Sequence, residues 1–312
     1  MITTKYGKVV KGLGGLFETR IYEDGEVSRL ASRAKGILKR GEAKVLIGDN
    51  VKITVDDSTP DGIVISEILE RKNSLIRPPL ANLDYLFIVF AAAKPSPVIE
   101  TVDKLCAIAE HNSIKPVIVI TKSDLSGDAA EEFADIYRLV GYPTFITSSE
   151  AGGGLEALSE YIKREVTDGK TAAFAGASGV GKSTLMNTLF PGLSLQTAEI
   201  SKKIERGRHT TRHVEIFDID SSESTGFLAD TPGFSLVDFA RFDFFTIDEL
   251  LPAFPDILPY TGSCRYADCA HVGEGEDECC VAKAAKEGKI AESRLESYRS
   301  IWHTLKNKKE YK

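Results

Sequence analysis

Up to Arg71 the apolar positions come in short runs broken by glycine: Tyr6 to Val10, Leu16 to Tyr22, Ala34 to Leu38, Asn50 to Val55 and Gly62 to Leu69. Runs of this length, rich in β-branched and aromatic residues, predict five strands. Five short strands close most simply into a small barrel, and the OB-fold is the five-stranded barrel most used for single-stranded nucleic acids. Tyr6, Phe17 and Tyr22 are candidate stacking residues on its face, although each taken singly reads more simply as core. After Arg77-Pro78-Pro79 the pattern changes to strands alternating with helices. Continuous apolar runs at Leu86 to Ala92 and Pro116 to Ile120 predict buried strands, with a helix over Ile99 to His111 between them. A helix around Ala129 to Val140, a strand Thr144 to Thr147, a helix Leu155 to Val166 and a strand Thr171 to Ala175 follow. This order predicts an α/β domain with a parallel sheet. Cys106, inside the first helix, reads as a small buried hydrophobe. Near the C-terminus Leu295, Tyr298, Trp302 and Leu305 recur at helical spacing. They predict a docking helix whose Arg294, Arg299, Lys306, Lys308 and Lys309 supply a basic face.

The expected architecture is multidomain: an N-terminal OB-fold β-barrel (1–72), a central α/β P-loop domain (73–238) and a mostly helical C-terminal module (239–312). A length of 312 residues fits more than one domain. The longest apolar run, near Leu86 to Ala93, falls far short of the roughly 20 residues needed to cross a bilayer, so no membrane association is expected. The N-terminal stretch MITTKYGKVVKGLGG lacks the apolar core of a secretory signal, which predicts a cytoplasmic protein with reduced thiols. The net charge of −7 argues against a nucleic-acid partner until its distribution is considered. Residues 1–72 carry +2 and residues 294–312 carry +4, while the remainder carries −13. Both ends permit contact with phosphate backbones, and solvated lysines explain such numbers equally well.

The strongest motif is Gly176-Ala177-Ser178-Gly179-Val180-Gly181-Lys182-Ser183, a GxxxxGK[ST] element between a predicted strand and a helix. In that setting backbone N–H groups cradle phosphates, the helix N-terminus adds its positive end, Lys182 reaches the β- and γ-phosphates, and Ser183, followed by Thr184, offers a hydroxyl to magnesium. Asp230-Thr231-Pro232-Gly233 follows Phe227-Leu228-Ala229, where P-loop enzymes keep the aspartate that holds Mg²⁺. Gly233 closes that turn. Between the two lies Arg206-Gly207-Arg208-His209-Thr210-Thr211-Arg212, at the place of a switch loop whose threonine, here Thr211, completes the magnesium shell. Thr121-Lys122-Ser123-Asp124 follows a buried strand and resembles the NKxD element that recognises guanine, with Thr121 in place of asparagine. Thr147-Ser148-Ser149 fits the remaining base-contacting element, with Ser148 and Ser149 as its contacts. These base elements precede the P-loop, the reverse of the ordinary order, so the domain reads as circularly permuted.

Cys264-x4-Cys269-x-His271-x7-Cys279 supplies three thiols and an imidazole in a short span, which suits one closed, structural zinc site. Cys280 is adjacent and competes with Cys279 for the fourth position.

Taken together, the barrel segment with Ile47-Gly48-Asp49, the permuted order, Gly207-Arg208-His209-Thr210-Thr211, the DTPGF run and the Cys/His cluster followed by Val281 resemble the ribosome small subunit-dependent GTPase A family. The resemblance spans almost the whole chain. It departs at Thr121, at Ser149 where alanine is common, at Arg212 where a third threonine is usual, and in a longer spacing before Cys279. It implies hydrolysis of GTP to GDP and phosphate, stimulated by the small ribosomal subunit and its rRNA, in late maturation of that subunit; a monomer is expected. Phe234 stands where many GTPases carry a water-orienting glutamine. His209 is therefore the candidate catalytic group beside Lys182, with a plain solvated histidine as the alternative. Two other functions fit the motifs: a P-loop ATPase in which Asp124 does not read the base, and an RNA-binding module switched by GTP with little turnover.

Overall fold

A computed structural model describes residues 2–24, 26–36, 44–59, 62–148, 152–191, 214–219, 226–230, 238, 239 and 241–308. In chain order its strands are β1 (Ile2–Leu13), β2 (Leu16–Glu23), β3 (Glu26–Ala34), β4 (Asn50–Asp56), β5 (Ile63–Ile68), β6 (Ser74–Leu75), β7 (Leu80–Ala81), β8 (Tyr85–Ala91), β9 (Lys115–Thr121), β10 (Thr144–Ile146), β11 (Thr171–Ala175), β12 (Glu215–Asp218) and β13 (Phe227–Asp230). The α-helices are α1 (Ile99–His111), α2 (Gly127–Val140), α3 (Leu155–Glu165), α4 (Lys182–Leu189), α5 (Cys280–Lys286) and α6 (Glu292–Lys306). The chain divides into two compact units, one of residues 1–85, 162–174 and 190–234, the other of 86–161, 175–189 and 235–312.

In the first unit β1 pairs with β2, β2 with β3 and β4 with β5, all antiparallel; β3 runs parallel to β5, and β4 returns to β1. The five strands thus form a closed ring, which leaves few unpaired edges. Val9, Ile21, Val51, Ile53 and Ile65 fill its interior. Strand side chains alternate between faces, so with Ile21 inside, Tyr22 is 64% exposed, and Tyr6 is 58% exposed. Neither tyrosine is core; Phe17 alone of the three packs, partly buried, against the interior. A register shift between Val9 and Lys11 lets both Val9 and Val10 be buried on one strand.

The third strand differs from expectation. It runs over Glu26–Ala34, and Leu38 lies outside the described residues. Of its nine residues only Leu30, Ser32 and Ala34 are shielded from solvent, so its inward face is small and partly polar and gives no apolar alternation to read. Asp49 of the Ile47-Gly48-Asp49 segment is buried and accepts from Arg71 Nε (2.6 Å) and from the Leu46 N–H (2.8 Å). At Gly48, φ is +88° and a Cβ would stand 2.1 Å from the Ala81 carbonyl oxygen, so only glycine fits. Beyond the ring, β1 pairs with β12, β12 runs antiparallel to β13, and β13 runs parallel to β11.

In the second unit β8, β9 and β10 lie side by side, β9 and β10 parallel. Every residue of β8 is buried, which matches its continuous apolar run. Cys106 on α1 is fully buried. α1 packs against α6, where Leu295, Tyr298 and Ile301 are buried. Arg294 does not belong to a basic face. Its side chain is 0% exposed and ion-paired to Asp103 Oδ1 (2.8 Å), itself 0% exposed, and to Asp256 Oδ1 (2.7 Å). The guanidinium also lies 4.6 Å from the centre of the Phe254 ring, and Tyr137 donates to Asp103 Oδ1 at 3.1 Å. Arg299 Nε donates to the His271 carbonyl and Lys308 Nζ to the Phe242 carbonyl, and Lys309 lies outside the described residues. No helix among the described residues is long and apolar enough to cross a membrane.

Candidate functional site

β11 leads into the loop Gly176–Gly181, and α4 begins at Lys182. Gly176 sits at φ +143°, where an added Cβ would stand 2.0 Å from the Val89 carbonyl oxygen; the loop can leave the sheet only through glycine. Gly179 and Gly181 also have positive φ. Ala177, Ser178 and Gly179 are exposed, Val180 is buried and anchors the loop, and Ser183 and Thr184 fall in the first turn of α4. Lys182 Nζ donates to the carbonyls of Gly176 (2.6 Å) and Ala177 (2.7 Å), which holds the ammonium over the loop. Burial lowers its pKa to about 8, because desolvation disfavours the charged form. A polyphosphate beside it would favour that form again.

The TKSD segment is bonded to this loop. Thr121 is buried, and its hydroxyl lies 2.5 Å from the Val180 carbonyl and 3.2 Å from that of Phe90. Lys122, at φ +57°, donates from Nζ to the carbonyls of Gly179 (2.8 Å) and Lys94 (2.7 Å). Ser148 Oγ donates to Asp124 Oδ1 at 2.5 Å, and Ser123 bonds the Thr147 carbonyl through both its N–H (3.3 Å) and its hydroxyl (3.2 Å). Thr121, Lys122, Ser123, Asp124 and Ser148 therefore gather beside the glycine loop. Nothing in the motif itself signals that Thr121, shorter than the usual asparagine, faces the loop backbone. Ser149, His209, Thr211 and Gly233 lie outside the described residues, and only the backbone of Asp230 is described, at the end of β13.

In the same unit Cys264, Cys269, His271 and Cys279 place their ligand atoms within 4.8 Å of one another. His271 Nδ1 lies 3.6 Å from Cys264 Sγ, 3.4 Å from Cys269 Sγ and 3.4 Å from Cys279 Sγ. Sulfur at about 2.3 Å and nitrogen at about 2.0 Å from a tetrahedral zinc would be separated by roughly 3.5 Å. The donor set is thus compatible with a zinc site. Cys280 Sγ instead donates to the Ser263 carbonyl at 2.9 Å.

A glycine-turned loop opening onto a helix N-terminus, cross-bonded to a second loop that presents a carboxylate, defines a P-loop nucleotide-binding protein. Comparison with known proteins narrows the class. The family model described as RsgA GTPase matches residues 68–240. The small ribosomal subunit biogenesis GTPase RsgA of Alkaliphilus metalliredigens is 38% identical over 306 residues, covering 98% of this chain and 99% of the relative. Its counterpart RsgA 2 of Listeria monocytogenes is 39% identical over 312 residues, covering 97% and 98%. Among solved structures, YjeQ from Thermotoga maritima aligns with a TM-score of 0.78 at 32% identity, covering 98% of this chain and all of the other. YloQ, described as a circularly permuted GTPase, aligns with a TM-score of 0.76 at 32% identity, covering 98% and 96%. The chain belongs to the RsgA GTPase family.

Proposed function

We propose that this protein hydrolyses GTP to GDP and phosphate, that the small ribosomal subunit stimulates it, and that it acts in late maturation of that subunit. The observation that carries the reading is the Asp124–Ser148 pair held beside the glycine loop by Thr121 and Lys122, in a chain of this family. Asp124 would accept from the guanine edge, the loop N–H groups and Lys182 would hold the phosphates, and Ser183, Thr211 and Asp230 would hold magnesium, which supplies positive charge between the β- and γ-phosphates. The closed ring of β1 to β5 supports an OB-fold for residues 1–72, with the GTPase domain over 73–238 and the C-terminal module over 239–312. Tyr6 and Tyr22, outside the barrel core, support a stacking surface for rRNA. Cys264, Cys269, His271 and Cys279 would hold one structural zinc. We take the protein to be a cytoplasmic monomer.

Phe234 cannot orient water. Losing one positioned polar group costs about 2 to 4 kcal/mol of transition-state stabilisation, roughly a 30- to 1,000-fold rate deficit. Single-turnover hydrolysis should therefore be slow alone and rise by a factor of this order with saturating small subunits, without competition from ATP. Lys182→Ala should lose nucleotide handling, and His209→Ala should bind GTP and subunits normally yet show little stimulation. Full stimulation of His209→Ala would transfer the water-positioning role to a ribosomal group. Equal competition by ATP would make the protein an ATPase, and no turnover with subunits would make it a switch.

Base specificity has its own test. Asp124→Asn should weaken GTP binding and favour xanthosine triphosphate, whose ring edge has the complementary pattern. A variant that still prefers GTP would remove Asp124 from base recognition.

A further inference from the structure

The first unit joins the barrel to the two strands that feed the proposed catalytic loops. Lys11 of β1 is in register with Glu215 of β12, and Glu215 is in register with Asp230 of β13. One ladder therefore runs from the barrel wall to the backbone of the proposed magnesium aspartate. Ion pairs reinforce it. Lys11 Nζ meets Glu215 Oε1 at 3.0 Å, and Asp218 of β12 pairs with Arg20 of β2 and with Arg29 of β3 (3.3 Å). Lys8 and Arg20 both lie over the Phe227 ring of β13, 5.2 and 5.0 Å from its centre. Lys8 is buried, and its Nζ donates to Thr171 Oγ1 of β11 at 3.3 Å. Asp84 accepts from the Thr171 N–H at 2.9 Å while pairing with Lys72 at 2.8 Å. Lys8, Lys11, Arg20 and Arg29 thus tie β11, β12 and β13 to the barrel, and Lys72 holds the Asp84 that accepts from β11.

A barrel that served only as an RNA handle would need none of these ties, since a linker would suffice to carry it. Charged pairs that are partly shielded and share partners hold register better than isolated surface pairs, which contribute about 0 to 1 kcal/mol. We propose that the barrel is the sensing element of the GTPase: RNA docked on β1 and β2 shifts β12 and β13 as one piece with the barrel, and so resets the position of Asp230. This rests on the function proposed above. Asp218, Lys11 and Glu215 are positioning residues in this scheme, since they act on Asp230 through the ladder.

Coupling between two sites is reciprocal, which allows a test that does not depend on the ribosome. In the wild type, magnesium with a non-hydrolysable GTP analogue should slow amide hydrogen exchange at Val9 to Leu13 several-fold. In a Lys11→Met/Asp218→Asn double variant that binds the analogue normally, this protection should vanish. With small subunits the same variant should bind normally by sedimentation but lose at least tenfold of the stimulation, and need more magnesium for half-maximal rate, while Asp218→Glu retains both. Exchange at Val9 to Leu13 that ignores nucleotide in the wild type, or undiminished stimulation in the folded double variant, would overturn the coupling. Absence of any stimulation in the wild type, with nucleotide-dependent exchange intact, would overturn the ribosomal function and leave the coupling standing.

Discussion

Stripping metal from the purified protein with a strong chelator should unfold the segment Cys264–Cys280 and loosen α6 with it. Structural zinc contributes an apparent 10 to 16 kcal/mol in small metal-folded modules, of the same order as the whole stability of an ordinary domain. The segment has little else to hold it: Cys264 and Cys269 are only partly buried, and its charged pairs Arg265–Glu278 and Lys286–Glu276 lie on the surface. Two hydrogen bonds pass the effect on to α6, from the Tyr298 hydroxyl to the Ala270 carbonyl and from Arg299 Nε to the His271 carbonyl, each 3.2 Å. Metal analysis should give one zinc per chain. Cys279→Ser should lose it and Cys280→Ser should keep it, because the Cys280 thiol is engaged with Ser263. The reverse result would exchange the fourth ligand, and unchanged melting after complete zinc removal would deny the metal a structural role.

Arg294→Ala should be the most damaging single substitution away from the proposed nucleotide and metal sites. It leaves the fully buried carboxylate of Asp103 without its nearest positive charge and Asp256 with none at that distance. Breaking a buried pair by removing one partner costs about 3 to 5 kcal/mol. The sign of the pH dependence follows from Asp103. Burial pushes its pKa up and Arg294 pulls it down; without the arginine it rises further above the unfolded value. A buried acid with a raised pKa destabilises the fold above that pKa and ceases to do so as protonation sets in. The gap between Arg294→Ala and wild type in urea unfolding should therefore narrow from pH 7 to pH 5. Adding Asp103→Asn to the variant should recover part of the loss at pH 7. A loss under about 1 kcal/mol at pH 7 would show that the cluster holds nothing together.

The sequence placed α1 and β11 residue for residue, because the helix carries an apolar stretch buried from Leu105 to Ala109 and the strand is a short continuous run buried on both faces. β3 escaped because its inward positions are Leu30, Ser32 and Ala34, which look no different from a loop. The tyrosines of the barrel were legible in principle. Ile21 and Tyr22 cannot both point inward, and parity alone would have put Tyr22 outside; Tyr6 was harder, since the bulge after Val9 breaks the count. Arg294 could not have been read. Its partners stand 191 and 38 residues away, and a charge five residues from the next arginine on a C-terminal helix looks like solvated surface. The glycine loop, Asp124 and the Cys/His quartet were visible because their chemistry fixes both residue type and spacing. The bond from Thr121 to Val180 was not, since it spans two motifs.

The pairing of Lys11 with Glu215 spans 204 residues of chain, and this affects how the protein is made. The barrel ends at Ile68 and β12 starts at Glu215, so synthesis at about 5 to 20 residues per second would leave the barrel waiting roughly 7 to 30 s before β12 leaves the ribosome. During that interval the stretch of β1 near Lys11 is an open strand edge, the kind of surface on which nascent chains pair with one another. The lysine there and Gly12 beside it are poor partners for such pairing, whereas Gly7 is already paired on both sides within the barrel. The residues that later lock the barrel to β12 would thus keep the half-made protein from aggregating on its way to the fold.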